Sequence, residues 1–134
     1  MGGIMKLKIE GETPSKKNSR IVLPNGKNIP SKQYRIWHES AMLQVRSQAI
    51  GHEKICYPVT ITLSFFHGDL RRRDSDNGTS SILDTLVDCE IIKDDNWEIV
   101  RILNVYNYYD RNNARCEIDI KPLETTLEAG RESA

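Results

Sequence analysis

The sequence predicts an α/β protein of the α+β type: a single domain with a mixed β-sheet of about four strands and two main helices packed on it. Three observations lead there. Apolar residues recur with a period of two at 5–10, 59–65 and 114–121, the pattern of half-buried strands, and 98–109 is rich in Ile, Val and Tyr. Two stretches with helical spacing lie between them. The chain has 134 residues, enough for one core, and shows no internal repeat and no linker.

Residues 5–10, MKLKIE, set Met5, Leu7 and Ile9 against Lys6, Lys8 and Glu10. Residues 11–32 hold Pro14, Pro24, Pro30 and the turn pair Asn25-Gly26, which predicts a basic loop with a small hairpin about that pair. Ser31 is placed to cap a helix over 32–49, in which Tyr34, Trp37, Ala41 and Val45 share a face. Tyr34 and Trp37 are read as core on that face, and Gly51 as the stop. Val59, Ile61, Leu63 and Phe65 alternate with Thr60, Thr62 and Ser64, the clearest strand of the chain. Asp76 or Asn77 is expected to cap a second helix, carrying the stripe Ile82, Leu83, Leu86 and Val87 and ending near Cys89. A turn with Asp94 and Asp95 then leads into strand 98–109. The cluster 110–113 predicts a turn, and the last strand is expected to pair with its predecessor in a hairpin. Residues 123–134 have little to bury and are expected to fray.

Composition excludes several classes. Hydrophobic residues make up 38% and charged residues 28%, which suits a globular protein rather than a disordered one. No apolar run approaches the roughly 20 residues that span a bilayer. The start, MGGIMKLKIE, lacks a signal peptide's apolar stretch, and Lys6 stands where a myristoylation signal wants Ser or Thr. The protein is therefore read as intracellular. Cys56, Cys89 and Cys116 are odd in number and scattered, so free thiols are expected. They form no zinc spacing with His38, His52 or His67, and the histidines receive no role.

Net charge is zero, yet residues 1–54 carry ten Lys/Arg and four Asp/Glu, and residues 55–134 carry nine and fifteen. Four of these acids sit in two close pairs, Asp74 with Asp76 and Asp94 with Asp95, behind Arg71, Arg72 and Arg73. In an extended segment, residues two apart point the same way. If the strand after Asp95 neighbours the strand ending at Gly68, all four acids converge at one rim of the sheet, where α/β proteins commonly bind ligands. Crowded carboxylates repel one another unless neutralised, and Mg2+ takes such hard oxygen ligands together with substrate phosphates. Basic residues around an acidic centre then suit a metal-dependent nuclease, with Lys16, Lys17, Arg20 and the three arginines as phosphate contacts. The plainer reading also stands: Asp is favoured at turns and helix starts, and all four lie at such places.

The ordered set Arg73-Asp74-Ser75-Asp76-Asn77, then Leu83-Asp84-Thr85-Leu86, then Asp94-Asp95 resembles the RusA family of Holliday junction resolvases. Pro14-Ser15-Lys16-Lys17-Asn18 resembles the family's proline- and lysine-containing loop, and Ser31, Tyr34 and Trp37 its helix start. The likeness spans residues 5 to 121. It implies a homodimeric, Mg2+-dependent endonuclease, with Mn2+ as a substitute, that makes paired symmetric nicks at four-way junctions in DNA recombination and repair. It further implies a cytoplasmic protein of a bacterium or phage. By motif position Asp74, Asp76 and Asp95 are the catalytic, metal-binding residues and Asp94 stands beside them. One departure matters: Ser80 occupies the place where the family often has a catalytic Lys. Either another cation serves (Lys93, or an arginine of 71–73), or turnover is slow, or the protein is a junction-binding dimer that does not cut. A structural α/β protein whose acids are only caps is the third reading.

Overall fold

In the computed structural model, residues 4–16 and 20–123 are described. The elements run β1 (Met5–Glu10), β2 (Arg20–Val22), β3 (Asn28–Pro30), α1 (Lys32–Gln48), β4 (Val59–His67), α2 (Thr79–Asp88), β5 (Val100–Tyr109) and β6 (Arg115–Pro122). β2 and β3 form the expected hairpin, closed where the Leu23 N–H donates to the Lys27 carbonyl at 2.7 Å. The other four strands make one mixed sheet in the order β1-β6-β4-β5. The frayed tail expected over 123–134 lies outside the described residues except for Leu123, whose N–H donates to the Pro58 carbonyl.

β4 is central because its whole inner face is apolar. Val59, Ile61, Leu63 and Phe65 are buried together with Ile9 and Leu7 of β1, Cys116, Ile118 and Ile120 of β6, Ala41 and Val45 of α1, and Ile82 and Leu86 of α2. Both helices therefore cover one face, and β1 and β6 alternate inward apolar with outward polar residues. Tyr34 is buried and Trp37 half-buried against this core, as their helical spacing predicts. α1 starts where the Ser31 hydroxyl accepts the Tyr34 N–H at 3.1 Å. α1 also closes an edge of the sheet. The Gln48 side chain accepts the Lys8 N–H and donates to the Lys8 carbonyl, and Gln44 accepts the Glu10 N–H. The free edge of β1 is thereby paired by side chains and shielded from edge-to-edge association.

Two expectations are corrected. β6 is not the hairpin partner of β5. It pairs antiparallel with β1 and β4, while β5 runs parallel to β4 on the other side, from Val59 opposite Val100 to His67 opposite Tyr109. Residues 110–114 bridge the end of β4, with the Asp110 N–H on the His67 carbonyl and the Ala114 side chain against Gly68. The reason is burial: β6 presents three fully buried residues and needs neighbours on both edges, whereas β5 is mostly half-exposed and suits an edge. Nor does a side chain cap α2. Its N-cap is Gly78, and the preceding turns use backbone carbonyls: Asp74 accepts the Asn77 N–H and Asp76 the Thr79 N–H.

Gly78 is required by space rather than by dihedral angle. A methyl group there would lie 2.8 Å from the Phe65 ring and 2.8 Å from Thr13 Cγ2, both in a buried contact. Gly78→Ala is expected to destabilise the fold by about 2 kcal/mol through overpacking, read as a lower urea midpoint at unchanged slope.

Candidate active site

The loop after β4 carries the arginine run and the first acidic pair. It is tied down by Arg73, whose guanidinium reaches Asp69 Oδ1 at 2.9 Å, the Arg71 carbonyl at 3.0 Å and Glu12 Oε2 at 3.4 Å. The Arg73 side chain is only 10% exposed, so it is committed inward, whereas Arg71 and Arg72 face solvent. Asp69, held by the Arg71 N–H and by Arg73, has its carboxyl below the ordinary range. On this fastened loop Asp74 and Asp76 are exposed, and among the described residues no hydrogen bond or ion pair engages their carboxylates. Since the turns before α2 are closed by backbone carbonyls, capping does not account for these two acids.

Asp94 is used differently. Its carboxylate accepts the Asp95 N–H at 2.7 Å and the Asn96 side-chain amide at 3.2 Å, a turn closed by its own neighbours. Asp95 projects into a shallow cleft lined by Lys16, Arg20, Ser80 and Asp84. Its carboxyl is pushed up first by partial desolvation, then by the hydrogen bond and charge of Asp94, with Asp84 adding to the repulsion. Asp74 lines a different cleft, with His67, Asp69, Arg71, Arg73, Asn107 and Tyr108, which shares no residue with that of Asp95. A third cleft, which shares Arg71 and Arg73 with the cleft of Asp74, is walled by Glu12, Thr13, Pro14, Ser15, Arg72 and Asn77. Each of the three hollows takes part of its lining from the segment 69–80. β5 does neighbour β4, but in parallel, so its start lies beside Val59 and not beside His67, and the expected convergence of all four acids at one rim does not follow from the strand order; among the described residues Asp74, Asp76 and Asp95 form no group with ligand atoms within 4.8 Å of one another.

The predicted basic residues divide by their partners. Lys16 Nζ lies 3.0 Å from Asp84 Oδ1, and Arg20 donates to the Asn28 carbonyl at 2.7 Å. Both open onto the cleft that holds Ser80 and Asp95. Lys17 lies outside the described residues. Lys93, considered as a substitute cation, does not line that cleft; its N–H serves the Ile55 carbonyl.

Sequence reasoning missed the histidines. His38 bridges the two helices, with Nε2 2.9 Å from Asp88 Oδ2 and Nδ1 3.1 Å from Thr85 Oγ1, and its ring stacks on Tyr34. With Asp84 it forms a group whose ligand atoms all lie within 4.8 Å of one another. The four-residue spacing of Asp84 and Asp88 was a visible signal of that shared helix face. Each member already has a partner, since Lys16 takes Asp84. Tyr34 sits over the same acids: burial first, then the Asp84 charge, pushes its phenol up to about 12. His67 lies between Glu12 and Asn107, contacts that link the segment after β1 with β4 and β5 and that no sequence spacing could show.

The raised Asp95 carboxyl gives a sign for stability. A folded-state value above the unfolded one means that ionisation opposes folding. That penalty is absent below the ordinary value of 3.8 and complete above the raised folded value. Metal-free Asp95→Asn is therefore expected to melt above wild type at pH 7 by a few degrees at most, with the difference vanishing towards pH 3, as read by calorimetry.

Residues 10–121 match a family model described as "Endodeoxyribonuclease RusA". No curated protein matches the chain.

Proposed function

The chain belongs to the RusA endodeoxyribonuclease family of Holliday junction resolvases, and from that premise we propose that it cuts four-way DNA junctions by paired nicks, as a homodimer, with Mg2+ held by Asp74, Asp76 and Asp95. The observation that carries this reading is the state of these acids. Two exposed carboxylates on a fastened loop have no partner among the described residues, and a third is pushed up by partial desolvation and then by the neighbouring Asp94 and Asp84. A hard divalent cation relieves that repulsion, and an all-carboxylate donor set fits Mg2+, with Mn2+ as a substitute. When bound, the ion polarises the scissile phosphate and activates water. Asp94 holds the Asp95 backbone through its turn and so acts behind the site.

The chain's own residues supply the remaining requirements. Arg71 and Arg72, exposed beside Asp74, are placed for phosphate contacts on the DNA backbone. Arg73 serves the same recognition indirectly by holding the loop. Lys16 and Arg20 line the cleft of Ser80 and Asp95, so positive charge is available where the family often has Lys. Lys16 stabilises the phosphate's growing negative charge once DNA draws it from Asp84. This weighs against the alternative of a junction-binding dimer that does not cut.

The dimer finds support in the asymmetry of the sheet edges. The β1 edge is closed by Gln44 and Gln48, whereas β5 ends the other side with Tyr106 and Tyr108 about half exposed. These two rings stack in a row with Phe66 on the face away from the helices. An edge left open beside an aromatic row suits a second copy, and two related cuts on a two-fold DNA object call for two related sites. Among the described residues no helix is long and apolar enough to cross a membrane; we place the enzyme with DNA in the cytoplasm.

The test is cleavage of an end-labelled four-way junction beside a linear duplex, with and without Mg2+. Wild type should give symmetric, Mg2+-dependent nicks in the junction alone. Asp76→Asn should abolish them while still retarding the junction in a gel. Lys16→Ala should lower kcat by about 100-fold, and Ser80→Lys should restore much of that loss. Junction binding without nicks in Mg2+ and Mn2+ would instead establish the non-cutting dimer.

A further inference from the structure

We propose that Glu12, His67 and Asn107 form a positioning relay that sets the Asp74–Asp76 segment for metal binding, an inference that rests on the metal reading above. Glu12 follows β1, His67 ends β4 and Asn107 lies near the end of β5, so the relay joins three strands at one end of the sheet. His67 Nδ1 lies 2.6 Å from Glu12 Oε2, and His67 Nε2 lies 2.8 Å from Asn107 Oδ1. Asn107 Nδ2 then donates to the Ser75 carbonyl at 2.7 Å. At the other end Glu12 accepts the Gly68 N–H at 3.3 Å and meets Arg73 Nε at 3.4 Å.

The donor directions follow from the two ends. The Asn107 amide spends its NH2 on Ser75, so its oxygen faces the histidine as an acceptor. The Glu12 carboxylate can only accept. Each ring nitrogen of His67 therefore faces an oxygen acceptor. The groups facing the imidazole are the Glu12 carboxylate, the Asn107 amide and the Phe65 ring, stacked at 6.3 Å and 11°. Arg73 and Asp69 reach it only through Glu12. The side chains of His67 and Arg73 are 16% and 10% exposed, so water competes weakly for their contacts with Glu12, whereas the bonds of Asn107 are exposed.

The consequence lies in what the relay grips. Arg73 precedes Asp74 and is tied to Glu12; Ser75 follows it and is tied to Asn107. Asp74 is thus fastened on both sides to one network, and the Ser75 anchor is shared with Asp76. Mg2+ demands near-ideal octahedral geometry, and groups that orient metal ligands from behind typically carry 10- to 100-fold of the affinity. None of the three residues needs to touch the metal or the DNA. They are positioning residues, built from strand ends because a loop of exposed acids cannot hold its own shape against their repulsion.

The experiment measures Mn2+ binding by the electron paramagnetic resonance of the free ion, for full-length wild type, Asn107→Leu, Glu12→Gln and Asp76→Asn. Asn107 is exposed on an edge strand, so its replacement leaves the core untouched, and Glu12→Gln keeps the shape of the side chain. Asn107→Leu and Glu12→Gln are expected to weaken Mn2+ binding by about tenfold. The Mg2+ concentration for half-maximal cleavage should rise by a similar factor, while kcat at saturating Mg2+ and junction affinity in metal-free buffer stay within about threefold. A purely structural role would lower the melting temperature and leave these metal readings unmoved. Wild-type Mn2+ affinity in both relay variants, with binding lost in Asp76→Asn, would overturn the relay alone. Unchanged binding in Asp76→Asn would overturn the metal reading and the relay with it.

Discussion

The fold depends on β4 lying between two strands of opposite sense. With four apolar residues on its inner face, it takes the most buried place in the sheet, β5 parallel on one edge and β6 antiparallel on the other. Parallel pairing obliges the chain to return from the end of β4 to its beginning before β5 can start. α2 and the loop after it make that return. The two segments that carry the acids are consequences of this constraint: Asp74 and Asp76 lie where the chain leaves β4 for α2, and Asp94 and Asp95 where it approaches β5.

An unpartnered acidic surface opposes folding, so its shape must be held from outside. Here the holding groups are side chains aimed at backbone. Arg73 grips the Arg71 carbonyl, Asn107 the Ser75 carbonyl, and Asp94 the Asp95 amide. Each is a single solvent-exposed bond of modest net strength, about 1 kcal/mol. The Asp74 and Asp76 carboxylates are thereby released from local duty. A cap or a turn built with its own carboxylate, as at Asp94, fixes the chain but spends the acid.

Most of the elements could be read from periodicity because burial acts residue by residue. Met5, Leu7 and Ile9 alternate because β1 has one wet face, and Ser31 marks the start of α1 because a free N–H three residues on needs an acceptor. The same local logic erred at Asp76 and Asn77, where the backbone closes the turn and Gly78 is demanded by the Phe65 ring packed against it. It erred again at β6, since sequence neighbours favour a hairpin but burial on both edges of the strand decides the partner. The acids stood out by type and spacing. The partners of His38 and His67, 50 and 55 residues distant, had no such signal.

The sequence alone therefore determined the element list, the α+β class, the acidic pairs and the likeness to a nuclease family, since each follows from residue type at short range. Tertiary structure alone decided the strand order, the inward commitment of Arg73, the placing of Lys16 and Arg20 beside Ser80 and Asp95, and the chain of contacts from Glu12 to Ser75. The physical reason is range. Propensity and alternation act within a few residues, whereas a hydrogen bond between strand ends exists only once the packing of the core has brought those ends together.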